Sequence, residues 1–240
     1  MEEIEVTRIE ESDVENPIFI EGLPGVGHVG KLVAEHIVEE LESTLLYEVH
    51  SHHFPPQCTV GDDGKADLVG GKIHHCDADG NDLLVLTGDH QSQTLDGHYK
   101  ITEKLLDIAE DSSVERIYTL GGIATGELVE DYRVVGASNQ PELLNEMEDY
   151  GIEFGEGEPT GGIVGVSGLL LGLGERRGIP AVCLMGETSG YMVDPKSAQA
   201  VLQILMDSIG FEVGMQKLEE RAEEMEEVVQ RLQDMNRDIG

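Results

Sequence analysis

Gly25, Gly27 and Gly30 stand in the spacing G-x-G-x-x-G. After a strand and before a helix, that spacing lets a backbone turn approach a pyrophosphate. The context is right. Ile18–Glu21 reads as a buried strand, Pro24 lies in the turn, and residues 31–38 read as a helix. A dinucleotide site also wants an acid at the end of the second strand. Here that strand holds Glu48 and runs into His50-Ser51-His52-His53. Two readings stand: a nucleotide or anion site on the helix N-terminus, or a turn whose glycines let helix and strand pack closely. Gly88-Asp89-His90-Gln91, Gly121-Gly122 and Glu187-Thr188 follow three further strands. In a parallel α/β sheet such strand ends share one edge, where ligands bind. Glu21, Asp89 and Glu187 would then meet beside the glycine turn, as acid–base groups or as helix caps. His50, His52, His53, His74 and His75 match no zinc spacing. Ser167 lies outside any G-x-S-x-G elbow. No catalytic set and no metal or cofactor site is expected.

The elements that position these residues alternate. Strands are expected at 44–49, 82–87, 114–120, 134–137 and 180–185, with Gln57–Val60 and Ala66–Val69 as a hairpin around Gly61-Asp62-Asp63-Gly64. Helices are expected over 99–110, from Pro141, over 161–173 with its glycines in close packing, and from Asp194-Pro195 to Ile209. Strands apolar on both faces and separated by helices define an α/β core with a mostly parallel sheet. The core is placed at residues 1–212, and residues 213–240 form a separate extension. There Leu218, Ala222, Met225, Val229 and Leu232 recur at steps of four and three, between glutamates. That is a coiled-coil seam, either lying on its own domain or pairing with a copy or a partner.

Composition narrows the function. The 49 acidic against 15 basic residues give a net charge of −34, which repels phosphate backbones and anionic lipid. Nucleic acid and membrane partners are therefore not expected. A carboxylate-rich surface suits a cytoplasm of molar salt, as in a halophilic archaeon. Three scattered cysteines make no disulfide framework. The first residues lack a signal-peptide pattern, so a cytoplasmic protein is expected.

Several segments together resemble the proteasome assembly chaperone 2 family. Residues 21–31 resemble its N-terminal signature, and Thr87–Gln91, Gly97-His98-Tyr99 and Thr119–Gly122 its middle motifs. Ser167–Gly172, Arg177–Ala181, Gly186–Tyr191 and Asp194–Ala198 resemble its C-terminal half. The resemblance implies a three-layer, nucleoside-phosphorylase-like α/β fold with a C-terminal helical extension. It implies a non-enzymatic chaperone or adaptor engaging 20S proteasome subunits, as a homo-oligomer. Some relatives dock through a tail of hydrophobic residue, tyrosine and any residue. This sequence ends Asp238-Ile239-Gly240, with isoleucine in the tyrosine's place. The alternative expectation is a protein that binds a nucleoside, nucleotide or phosphate through the glycine turn and the strand-end carboxylates.

Overall fold

The computed structural model describes residues 3–61, 63–154 and 162–225. Among them, eight strands form one sheet in the order β1-β3-β6-β7-β2-β8-β10-β9. These are β1 (Ile4–Arg8), β2 (Ile18–Glu21), β3 (Ser43–Ser51), β6 (Gly71–Ala78), β7 (Asn81–Gly88), β8 (Arg116–Ala124), β9 (Val134–Ser138) and β10 (Ala181–Thr188). A two-stranded hairpin, β4 (Cys58–Val60) and β5 (Ala66–Leu68), stands apart from the sheet. It is the hairpin expected from the sequence.

The sheet is mixed, which corrects the expectation of a mostly parallel one. The inner strands β7, β2, β8 and β10 are mutually parallel. On one flank β1, β3, β6 and β7 pair antiparallel, and on the other β9 runs against β10. The sequence reading missed two strands, β1 and β6. Lys72, His74 and His75 interrupt the apolar residues of β6, so composition hides it. Its turn was the readable signal. Asp79 and Gly80 both have positive φ, 55° and 89°, as a tight two-residue hairpin turn requires. The Gly80 N–H is held by Asp77 Oδ1 at 3.1 Å. The first strand, β1, shows only a short Ile4/Val6 alternation and pairs with β3 at the sheet edge.

Helices cover both faces, giving three layers. On one face lie α1 (Val29–Glu40) and α5 (Pro195–Ile209); on the other lie α2 (Leu95–Asp111) and α4 (Gly165–Arg177). A short α3 (Pro141–Glu148) follows β9. Strand alternation sends Ile20, Leu83, Val85 and Tyr118 to the first face and Phe19, Leu84, Leu86 and Ile117 to the second. Burial of these side chains on both faces supplies the main stabilisation. Across the second face, Arg177 in the last turn of α4 pairs with Glu103, Asp107 and Glu110 of α2.

Residues 216–225 are helical. Leu218 and Ala222, the first two seam positions, are buried, and Leu218 packs in the cluster beneath α1 and α5. The approach is fixed by His36, whose ring nitrogen bonds the Gly214 carbonyl at 2.6 Å, and by Lys217 on Glu40 at 2.7 Å. The start of the extension thus lies on its own domain rather than in a coiled coil. Met225 is half-buried, and Val229 and Leu232 fall outside the described residues. No helix among the described residues is long and apolar enough to cross a membrane.

Candidate functional site

The C-terminal ends of β2, β7, β8 and β10 meet at one edge, and the residues singled out above lie along it. Glu21 ends β2 with its side chain fully buried. The Leu23 N–H donates to Oε1 at 3.0 Å and the Ser167 hydroxyl to Oε2 at 2.8 Å. Burial outweighs these two bonds and pushes the carboxyl up to about 7. Ser167 is in the first turn of α4, so one carboxyl ties the end of β2 to the start of a helix far along the chain. Gln91 repeats the tie. Its amide nitrogen donates to the Pro24 carbonyl at 2.9 Å, and its oxygen accepts the Val166 N–H at 3.2 Å. Gly165 permits this approach: its φ is +78°, and a Cβ there would lie 2.5 Å from Gln91 Oε1.

The glycine turn is packed against the sheet. A Cβ on Gly30 would stand 2.2 Å from the Leu120 carbonyl oxygen, and one on Gly122 2.4 Å from that of Val26. Gly27 has φ +62°, with the Thr188 hydroxyl 2.9 Å from its Cβ position. Close helix–strand packing accounts for these glycines. Gly25 is exposed with open space at its Cβ position, and Gly121 meets only Met185 at ordinary contact distance.

The three strand-end carboxylates do not converge. Asp89 lies 3.7 Å from the Lys31 ammonium, which also bonds the Gly88 carbonyl and Glu35, each at 3.2 Å. Glu187 is held by Nε and Nη2 on one edge of the Arg133 guanidinium, whose Nη1 donates to Glu153 at 2.6 Å. Glu21 has its own partners on α4. The sequence reading did not single out Lys31 or Arg133, and it weighed Ser167 only as a nucleophile, not as the donor to Glu21. Arg133 carried a signal, as a cation among Glu127, Glu130 and Asp131 in a chain with few cations.

Of the histidines, His53 bonds Glu3 at 3.0 Å and Thr94 at 2.7 Å. Glu3, His53 and Asp96 bring potential ligand atoms within 4.8 Å of one another. Lys100 already supplies a cation there, 2.5 Å from Glu3 and 2.6 Å from Asp96. His75 joins Ser12 and Asp82, each at 2.8 Å, pinning the β1–β2 connection to the sheet.

Exposed apolar side chains fringe the strand-end edge: Val26 after β2, Leu95 at the start of α2, Leu128 after β8 and Tyr191 after β10. A polar cavity of about 650 Å³ lies between α1, the hairpin and the β3–β6 face, with Glu48, His50 and Lys72 in its lining.

A three-layer α/β protein results, with its strand-end edge tied shut by side chains and fringed with apolar residues. The family model of the PAC2 family matches residues 19–233, and the chain belongs to that family. The uncharacterized protein MJ1210 of Methanocaldococcus jannaschii is 37% identical over 219 residues, covering 91% of this chain and 84% of that protein. The crystal structure of Pyrococcus furiosus PbaB, described as an archaeal proteasome activator, superposes with a TM-score of 0.91 at 35% identity. That match covers 97% of this chain and all of PbaB. Pyrococcus furiosus PbaA, described as an archaeal homolog of proteasome-assembly chaperone, gives a TM-score of 0.83 at 27% identity, covering 99% of this chain and 94% of PbaA.

Proposed function

We propose that this chain is a non-enzymatic proteasome assembly chaperone or adaptor that binds 20S proteasome subunits through protein–protein contacts. The observation that carries this reading is the end-to-end similarity to PbaB and PbaA. The strand-end edge supports it. Glu21, Asp89 and Glu187 each hold a partner within the chain, which favours a rigid platform over an acid–base site. The exposed Val26, Leu95, Leu128 and Tyr191 offer apolar contact area of the kind that marks protein interfaces. In this reading residues 1–212 are the platform. Residues 213–240 are a docking or self-association arm, anchored by Leu218 and Ala222 and continued by Met225, Val229 and Leu232.

The test is retention of purified archaeal 20S α-subunits on the immobilised full chain and on a chain truncated after Met225, which keeps the buried Leu218 and Ala222. Retention by the full chain alone supports the reading and places the contact on the arm. Retention by both moves the contact to the platform, and retention by neither removes the proteasome from the account.

A further inference from the structure

We propose that two copies of this chain pair edge to edge through β5, antiparallel about a two-fold axis centred on Ala66, so that their hairpins form one four-stranded sheet. The proposal rests on the reading that the chain self-associates. It places the contact on the hairpin rather than on the C-terminal seam.

The hairpin is incomplete by itself. All six residues of β4 and β5 are exposed, and a two-stranded sheet without further packing is marginal in water. Strand alternation makes it amphipathic. Register Cys58↔Leu68, Thr59↔Asp67, Val60↔Ala66 puts Cys58, Val60, Ala66 and Leu68 on one face and Thr59, Lys65 and Asp67 on the other. Val60 is 67% and Leu68 58% exposed, so the apolar face lacks a cover within the described chain.

The free edge of β5 selects a register. The Gly61 N–H donates to the Lys65 carbonyl at 3.0 Å. Antiparallel ladders alternate bonded and non-bonded pairs, so Thr59 and Asp67 form the next bonded pair. The N–H and C=O groups of Ala66 and Leu68 therefore point away from β4. Among the described residues no backbone group outside the hairpin bonds them. Such an edge is a template for strand addition.

Charge names the occupant. The chain carries −34 with seven lysines, and most self-contacts would bring carboxylates together. Centring the pair on Ala66 uses the outward peptide groups. It sets Lys65 opposite Asp67 of the second copy, and Asp67 opposite its Lys65. These are non-hydrogen-bonded positions, where facing side chains lie closest. Within one copy the same two side chains already meet at 2.9 Å, so the pair would form a four-charge cluster. Centring on Lys65 or on Asp67 would set like charges opposite. A two-fold through Ala66 makes the contact isologous and closed.

The test is light scattering on the eluting full-length chain, comparing wild type with K65D, K65D/D67K and A66P. Wild type is expected at twice the 26.1 kDa chain mass or an even multiple. K65D sets acid against acid, and A66P removes the outward N–H while sparing the β4 ladder. Both are expected to halve the mass, and K65D/D67K to restore it. In a C58S background, A66C should cross-link to its own copy on oxidation. A monomeric wild type, or unchanged mass in K65D and A66P, overturns the proposal. So does a mass that falls only on truncation after Met225, which keeps the buried Leu218 and Ala222 and would assign self-association to the arm. Proteasome binding is not read, so the two readings fail separately.

Discussion

Glu21 is the residue whose environment departs furthest from its sequence appearance. On the page it is one of many glutamates; in the fold it is a buried carboxyl whose two oxygens hold Leu23 and Ser167. Its folded pKa of about 7 lies above the unbound value of 4.5. The folded chain thus keeps a proton that the unfolded chain releases. The stabilisation is full below the unfolded value and is lost as pH rises through about 7. Thermal midpoints should fall between pH 5 and pH 8. Glu21→Gln should flatten that slope and raise stability at pH 8 by on the order of 3 kcal/mol. Its amide keeps an acceptor for Leu23 and offers a donor to Ser167. An unchanged pH slope in this variant would remove Glu21 from the account. Gln91→Ala strands the Pro24 carbonyl and the Val166 N–H, and should cost about 1–3 kcal/mol in urea unfolding at any pH.

At the scale of elements, the legible parts were those with a local cause. The helix after the glycine turn, the Gly61–Gly64 hairpin and the strand–helix alternation around β7, β8 and β10 follow from periodicity and turn residues. β6 was hidden because its outward face is polar, and the antiparallel flank went unseen with it. The pairing of Glu187 with Arg133 was illegible because 54 positions separate them and no periodicity links β9 to β10. The C-terminal seam shows the same limit: a narrow apolar stripe does not say which surface it meets. Leu218 meets its own core. Leu218→Ala should therefore cost about 2–5 kcal/mol of chain stability, measured by denaturant unfolding at fixed protein concentration. A helix that served only between copies would leave a single chain's unfolding free energy unchanged. The glycine turn gives a companion result. Gly30→Ala drives a methyl into the Leu120 carbonyl and should destabilise by about 1–3 kcal/mol or more, with or without nucleotide present.

For the molecule as a whole, a net charge of −34 means that folding gathers carboxylates against their mutual repulsion. Salt screens that repulsion over about 10 Å at 0.1 M and about 3 Å at 1 M. Thermal midpoints should climb from 0.1 to 2 M KCl, by roughly 2–4 °C for each kcal/mol of repulsion relieved. A flat profile would show that pairs such as Lys31–Asp89 and Arg133–Glu187 already balance the surface. The strand order also bears on how the chain is made. β2 occupies the middle of the sheet, yet its neighbours β7 and β8 lie about 60 and 100 positions further on. β10, which closes the parallel core, ends only at Thr188. During synthesis the apolar β2 leaves the ribosome long before either neighbour exists. The nascent chain must therefore keep Ile18-Phe19-Ile20 soluble until its second neighbour, β8, ends at Ala124, about half-way along the 240 residues.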